Sequence, residues 1–148
     1  KKWDFLYFDQ ETQLEAIKAQ QSIYHACGVV AVRDMGVSID ELDAYVEANR
    51  RGLLKIRTDL ILGLPARYMR QEEIVNSLDS YFGPKQHMGD DMLRIGGIKM
   101  VADGAIADRT AYISEPYIGS DCDHGILAMA PEEIVSNVEW SRCYAYTT

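Results

Sequence analysis

Residues 93–109 read LRIGGIKMVADGAIADR, and this stretch decides how the chain folds. Its first part, 93–102, is an apolar run carrying a single lysine, Lys99, and it reads as a strand that closes on an Asp103–Gly104 turn. Side chains of an extended chain alternate between faces, so Ile98, Met100 and Ala102 share one face and Lys99, Val101 and Asp103 the other. An ammonium drawn out of water is costly unless it is paired or becomes neutral. Lys99 therefore calls for a partner or a chemical modification. Gly96–Gly97, at the start of the same run, marks a bulge or a site of close packing.

Upstream of this strand, helical and extended patterns alternate. Residues 11–26 place Leu14, Ile17, Ala19, Ile23 and Ala26 at roughly helical spacing, and Gly28 is a stop. Residues 29–32 are a β-branched run that Arg33-Asp34-Met35-Gly36 turns into a loop. Residues 38–51 begin with Ser38 and carry Glu41 three positions on, the pattern of a capping box, with Leu42, Tyr45, Val46 and Asn49 on one face. Residues 55–62 read as a second strand and 70–81 as a helix broken by Gly83–Pro84. A polar loop covers 85–91. Beyond the third strand, a long loop runs from 104 to 129, and Pro131 opens a last helix over 131–143. Regular alternation of this kind implies an α/β fold with about three parallel strands and crossover helices. The 148 residues suit one domain, whereas a whole TIM barrel takes about 250. The sheet is thus a small open one or part of a barrel.

Composition narrows the function classes. The net charge is −8 and basic residues are scattered in short pairs, which argues against a nucleic-acid or anionic-membrane partner. No apolar run approaches the roughly 18 residues of a membrane span, and residues 1–12 do not read as a signal peptide. Three widely spaced cysteines, Cys27, Cys122 and Cys143, fit free thiols in the cytoplasm. A small-molecule substrate is the expected partner, with a homo-oligomer as an expected assembly.

Further residues strengthen one resemblance. GVVAVRDMG (28–36), ELDAYVEANRRGLLKIR (41–57) and LRIGGIKMVADGAIADRTAYISEPY (93–117), followed by HGIL (124–127) and APEEIV (130–135), resemble the metal-dependent amidohydrolase superfamily. They are most similar to amidohydrolase family 3, the YtcJ-like branch that includes N-substituted formamide deformylases. The resemblance implies a TIM barrel with a divalent metal, zinc, at the carboxyl ends of its strands. It also implies hydrolysis of non-peptide, amide-type C–N bonds by metal-activated water. The family's K-x-x-x-D-G lysine falls on Lys99, which the resemblance makes a metal ligand carbamylated by carbon dioxide. Carbamylation turns a cation that is expensive to bury into an anionic oxygen ligand. By the same resemblance Asp103 is a catalytic supporting carboxylate and Arg109 a substrate contact.

The family's HxH pair has no counterpart in this sequence, and the histidine-bearing strand expected after APEEIV is replaced by VEWSRCYAYTT. The expectation is a single partial barrel domain over 1–148, an internal fragment carrying the second to fourth strands. Such a piece would have little or no activity alone, and its metal would be absent or completed by another chain. Two other classes stand beside this one. A non-catalytic α/β scaffold would hide its strand edges by self-association. A small-ligand-binding domain would hold its ligand at the strand ends of a doubly wound sheet. Strand order separates them, because a barrel segment keeps its strands sequential.

Each candidate residue also has an ordinary structural reading. Lys99 is a metal ligand or a lysine paired with Asp103 or Asp34. Asp103–Gly104 is a catalytic turn or a plain one, with the aspartate bonding its own backbone and the glycine supplying positive φ. Arg109 is a substrate contact or a solvated loop residue, and Asp34 a supporting group or a cap. His124 with Asp121, Cys122 and Asp123 makes a polar cluster, but sequence neighbours rarely converge on one ion. His25 and His87 have no ligand partner at useful spacing.

Overall fold

The computed structural model describes residues 8–63, 71–82 and 89–144. The elements run in the order α1 (Gln10–Ala26), β1 (Ala31–Val37), α2 (Ile39–Arg50), β2 (Arg57–Gly63), α3 (Gln71–Phe82), β3 (Leu93–Lys99) and α4 (Pro131–Tyr144). The three strands form one parallel sheet in the sequential order β1-β2-β3. The chain divides into two compact units, Lys1–Lys99, which holds the sheet, and Met100–Thr148. Among the described residues no helix is long and apolar enough to cross a membrane.

Local chemistry accounts for the helix starts. Asp9 caps α1 by accepting from the Thr12 amide at 2.8 Å. Ser38 and Glu41 form the expected capping box on α2. In the sheet, one face is apolar and covered. Thr58, Leu60 and Leu62 of β2 and Leu93 and Ile95 of β3 are buried on it. Tyr45 places α2 on this side, because its hydroxyl donates to Asp34 Oδ2 at 2.8 Å from above β1. Burial and the adjacent carboxylate both push the Tyr45 phenol well above its usual range. The opposite face carries Ala31, Arg33 and Met35 of β1, Arg57 and Asp59 of β2 and Arg94 of β3. Most of these side chains are exposed.

The structure corrects several expectations. β1 begins at Ala31 and continues through Val37, so the expected loop 33–36 is strand. Arg33 is held in the ladder by its ion pair to Asp59 on the neighbouring strand, at 2.7 Å. Gly36, at φ +93, absorbs the irregularity that had read as a turn. β3 ends at Lys99 rather than Ala102, and Ala102 instead accepts the Ala128 amide through its carbonyl. The buried residues of α1 are Leu14 and Gln21, while Ala19, Ile23 and Ala26 are exposed. Gln21 is a polar residue, and the apolar spacing of the helix does not account for its burial. Its amide instead donates to the Leu53 carbonyl (3.2 Å) and accepts from the Lys55 (2.5 Å) and Ile56 (3.2 Å) amides. The expected 70–81 helix and 85–91 loop fall partly outside the described residues.

The start of β3 is pinned electrostatically. Asp90 accepts from the Leu93 and Met92 amides at 2.9 and 2.8 Å and from the Asn49 side chain at 2.8 Å. These bonds favour the ionised carboxyl and lower its pKa from 3.8. A carboxyl lowered on folding contributes stability above its unfolded pKa and loses it as pH falls through the folded value. The sheet unit is therefore expected to weaken on acidification below about pH 4, and Asp90→Asn to flatten that slope. Urea midpoints measured across the acid range check this.

Candidate functional site

Parallel strands present their carboxyl ends together, and in open α/β sheets ligands gather there. The edge here is formed by Val37, Gly63 and Lys99. Lys99 pairs in register with Gly63 of β2, so no side chain on the neighbouring strand competes with it. Its stem passes toward β1, where a Cβ placed on Gly36 would lie 3.9 Å from the Lys99 Cδ. Lys99 is half-buried. Among the described residues of its own unit it has no hydrogen-bond or ion-pair partner. Asp34, the alternative partner in that unit, is occupied by Tyr45.

Two bulges shape this edge. β1 skips Gly36, since Met35 pairs with Ile61 but Val37 with Leu62. β3 skips Gly96, since Ile95 pairs with Leu60 but Gly97 with Ile61. The expectation of a bulge at Gly96–Gly97 is met. The skipped glycine lies against Asp59, whose carboxylate occupies the space a Cβ on Gly96 would need. Asp59 Oδ2 accepts from Arg33 Nε at 2.8 Å. Its Oδ1 is buried without a hydrogen bond, and Arg94 Nε stands 3.9 Å away. The composition of 57–63, an aspartate inside TDLILG, carried the same kind of signal as Lys99 but was not singled out.

A cleft of about 720 Å³ lies at the other end of the strands. Arg33, Arg57 and Arg94 line it together with Asp59, Asp90 and Asp91. It opens at the amino ends, away from the edge that carries Lys99, so it is not the candidate active site despite its size.

The other two sequence candidates belong to the unit Met100–Thr148. Asp103 bridges to Leu127, and its Oδ2 accepts the Tyr112 amide at 3.0 Å. Gly104 does not have positive φ. It is needed for another reason: a Cβ there would collide with the Thr110 carbonyl and hydroxyl. Arg109 has φ +53, uncommon for a residue with a side chain. Its guanidinium donates to the Ile118 carbonyl at 2.7 Å and sits 5.3 Å over the Tyr117 ring. The Tyr117 hydroxyl in turn donates to the Ala111 carbonyl at 2.9 Å. The loop is thus closed on itself by the two residues expected to act at the site.

The His124 cluster does not converge. His124 Nδ1 lies 3.1 Å from the Ile113 carbonyl, Asp123 Oδ1 takes the Gly125 amide, and Ser120 Oγ takes the Cys122 and Asp123 amides. Among the described residues no group of three or more His, Cys, Asp or Glu side chains could hold a metal ion. His25 is exposed, and His87 lies outside the described residues.

No protein-family model matches the sequence, and no curated protein matches it. Two solved structures do match. One is an uncharacterized metal-dependent hydrolase from Pyrococcus horikoshii OT3, with a TM-score of 0.76 and 28% identity over 92% of this chain and 26% of that one. The other is an uncharacterized metal-dependent hydrolase from Pyrococcus furiosus, with the same TM-score and identity over 92% of this chain and 27% of that one. The chain spans about a quarter of the length of these proteins, and in that quarter it is similar to metal-dependent hydrolases in both fold and sequence.

Proposed function

We propose that this chain is a three-stranded part of a metal-dependent hydrolase barrel of the amidohydrolase family 3 type, acting on amide-type, non-peptide C–N bonds of a small molecule. The observation that carries the reading is Lys99: a half-buried amine, unpartnered in its own unit, at the carboxyl end of a parallel sheet. Sequential strand order and the likeness to two metal-dependent hydrolases support it. Cys27 and Cys122, both free and exposed, are in keeping with a cytoplasmic setting.

The described residues do not fit a complete metal centre, since they bring no cluster of ligands together. No catalytic step through zinc or another divalent ion is therefore derived from them. What this chain contributes is one ligand position. The neutral Lys99 amine adds to the carbon of carbon dioxide, a C–O electron pair moves to oxygen, and the Nζ proton leaves to water. The product is an anionic carbamate. Asp103 keeps Oδ1 available as a supporting carboxylate. Arg109 spends one of its five N–H donors on Ile118 and keeps others for a substrate carbonyl or anion.

On this reading the 148 residues alone are inactive, because the remaining ligands of a working centre lie outside them. The test is turnover of an N-substituted formamide by the purified chain, with bound zinc measured by elemental analysis, for wild type and Lys99→Ala. The expected result is no turnover by either protein. Zinc-dependent turnover that disappears in Lys99→Ala would show a complete centre and contradict the inactivity.

A further inference from the structure

The face on which Lys99 emerges is set by one residue. Side chains alternate strictly along a strand, so a single inserted residue moves everything after it to the opposite face. Leu93 and Ile95 of β3 lie on the covered, helix-side face, in register with Thr58 and Leu60. Unbroken alternation would put Gly97 and Lys99 on that same apolar face and Ile98 on the open one. The register shows the reverse. Past Gly96, Gly97 pairs with Ile61, Ile98 with buried Leu62, and Lys99 with Gly63.

We infer that the Gly96 bulge, with the Asp59 carboxylate packed into it, is the device that turns Lys99 onto the open face of the sheet, making Gly96 and Asp59 positioning residues for the lysine. This rests on the proposed role of Lys99 as a reactive amine. Gly96 suits the insertion because its missing Cβ leaves the space that Asp59 fills. Arg33, bonded to Asp59 Oδ2, holds that carboxylate in place from β1. The arrangement has an energetic logic. With the bulge, Ile98 faces the apolar side and the amine faces the open side. Without it, an ammonium would be pressed among Leu62 and Ile95, at a cost that forces it to neutralise or the strand to shift.

The test is an exchange of faces. Three variants are compared with wild type: Gly96→Val, whose side chain needs the space the Asp59 carboxylate fills in the bulge; the swap Ile98→Lys with Lys99→Ile; and Gly96→Val combined with the swap. Each is treated with acetic anhydride, and acylation of the strand's amine is followed by peptide mass spectrometry, with circular dichroism to monitor folding. Acylation requires neither carbon dioxide nor metal, so its outcome is separate from whether Lys99 forms a carbamate. Wild type is expected to be acylated readily. Gly96→Val should return the strand to unbroken alternation and slow acylation about tenfold or more, because a covered amine reacts only on local opening, or should unfold the sheet. The swap alone should behave like Gly96→Val. The combination should restore both folding and acylation, since losing the bulge with every residue kept puts position 98 on the open face. A folded Gly96→Val variant acylated at the wild-type rate overturns the inference, as does a combined variant that recovers neither property.

Discussion

Gln21→Leu is expected to lower the unfolding free energy of the sheet unit by about 3 kcal/mol. The side chain is 8% exposed and makes three bonds to the segment that enters β2. Leucine fills similar space, so the change leaves little cavity. It strands the Lys55 and Ile56 amides and the Leu53 carbonyl, and a buried polar group without a partner costs about 1–3 kcal/mol. Some of that cost is recovered as apolar burial, which keeps the total near the lower end of a simple sum. Gln20→Leu, one position away on the exposed face of α1, should change stability by no more than about 0.5 kcal/mol. Urea denaturation of both variants separates the cases. Equal midpoints would mean that the Gln21 bonds contribute nothing net.

The second large effect is expected at Gly104→Ala, at about 2–4 kcal/mol within the unit Met100–Thr148. The added methyl would meet the Thr110 backbone carbonyl, which cannot step aside as a side chain can. The same carbonyl accepts the Ile126 amide at 2.8 Å, and Thr110 Oγ1 accepts the Ala105 amide at 3.0 Å. Moving Thr110 therefore breaks bonds on both sides of the loop. Amide hydrogen exchange should show faster exchange at Ala105, Thr110 and Ile126 in the variant. Unchanged protection at all three would show that the loop accommodates a side chain there.

Much of this architecture was legible in the sequence, for physical reasons. The Ser38–Glu41 capping box and the apolar period of the strands depend on neighbours in the chain, so the elements and their alternation could be read locally. The boundaries of β1 could not. Arg33-Asp34-Met35-Gly36 has the composition of a turn, and it stays in the sheet through pairing with Asp59, a residue distant in sequence. Gln21 was missed because a hydropathy pattern ranks glutamine as surface, while its burial depends on backbone groups at 53–56. At the candidate site, the lysine was legible as an anomaly and the glycine pair as a bulge. Which face Lys99 takes was not legible, because IGGIK reads equally well with Gly96 in or out of register. Only the pairing with β2 decides it. Asp103 and Arg109 stood out by motif, but their bonds to Tyr112 and Ile118 depend on how the long loop folds back.

The proposed function makes Lys99 a reactive amine on the open edge of the sheet. Carbon NMR of the chain equilibrated with isotope-labelled bicarbonate at mildly alkaline pH tests it most directly, with Lys99→Ala and Lys99→Arg as controls. A carbamate carbonyl resonance is expected in the wild-type protein and in neither variant. Spectra that are identical in all three proteins would contradict it and leave Lys99 an ordinary strand-end lysine.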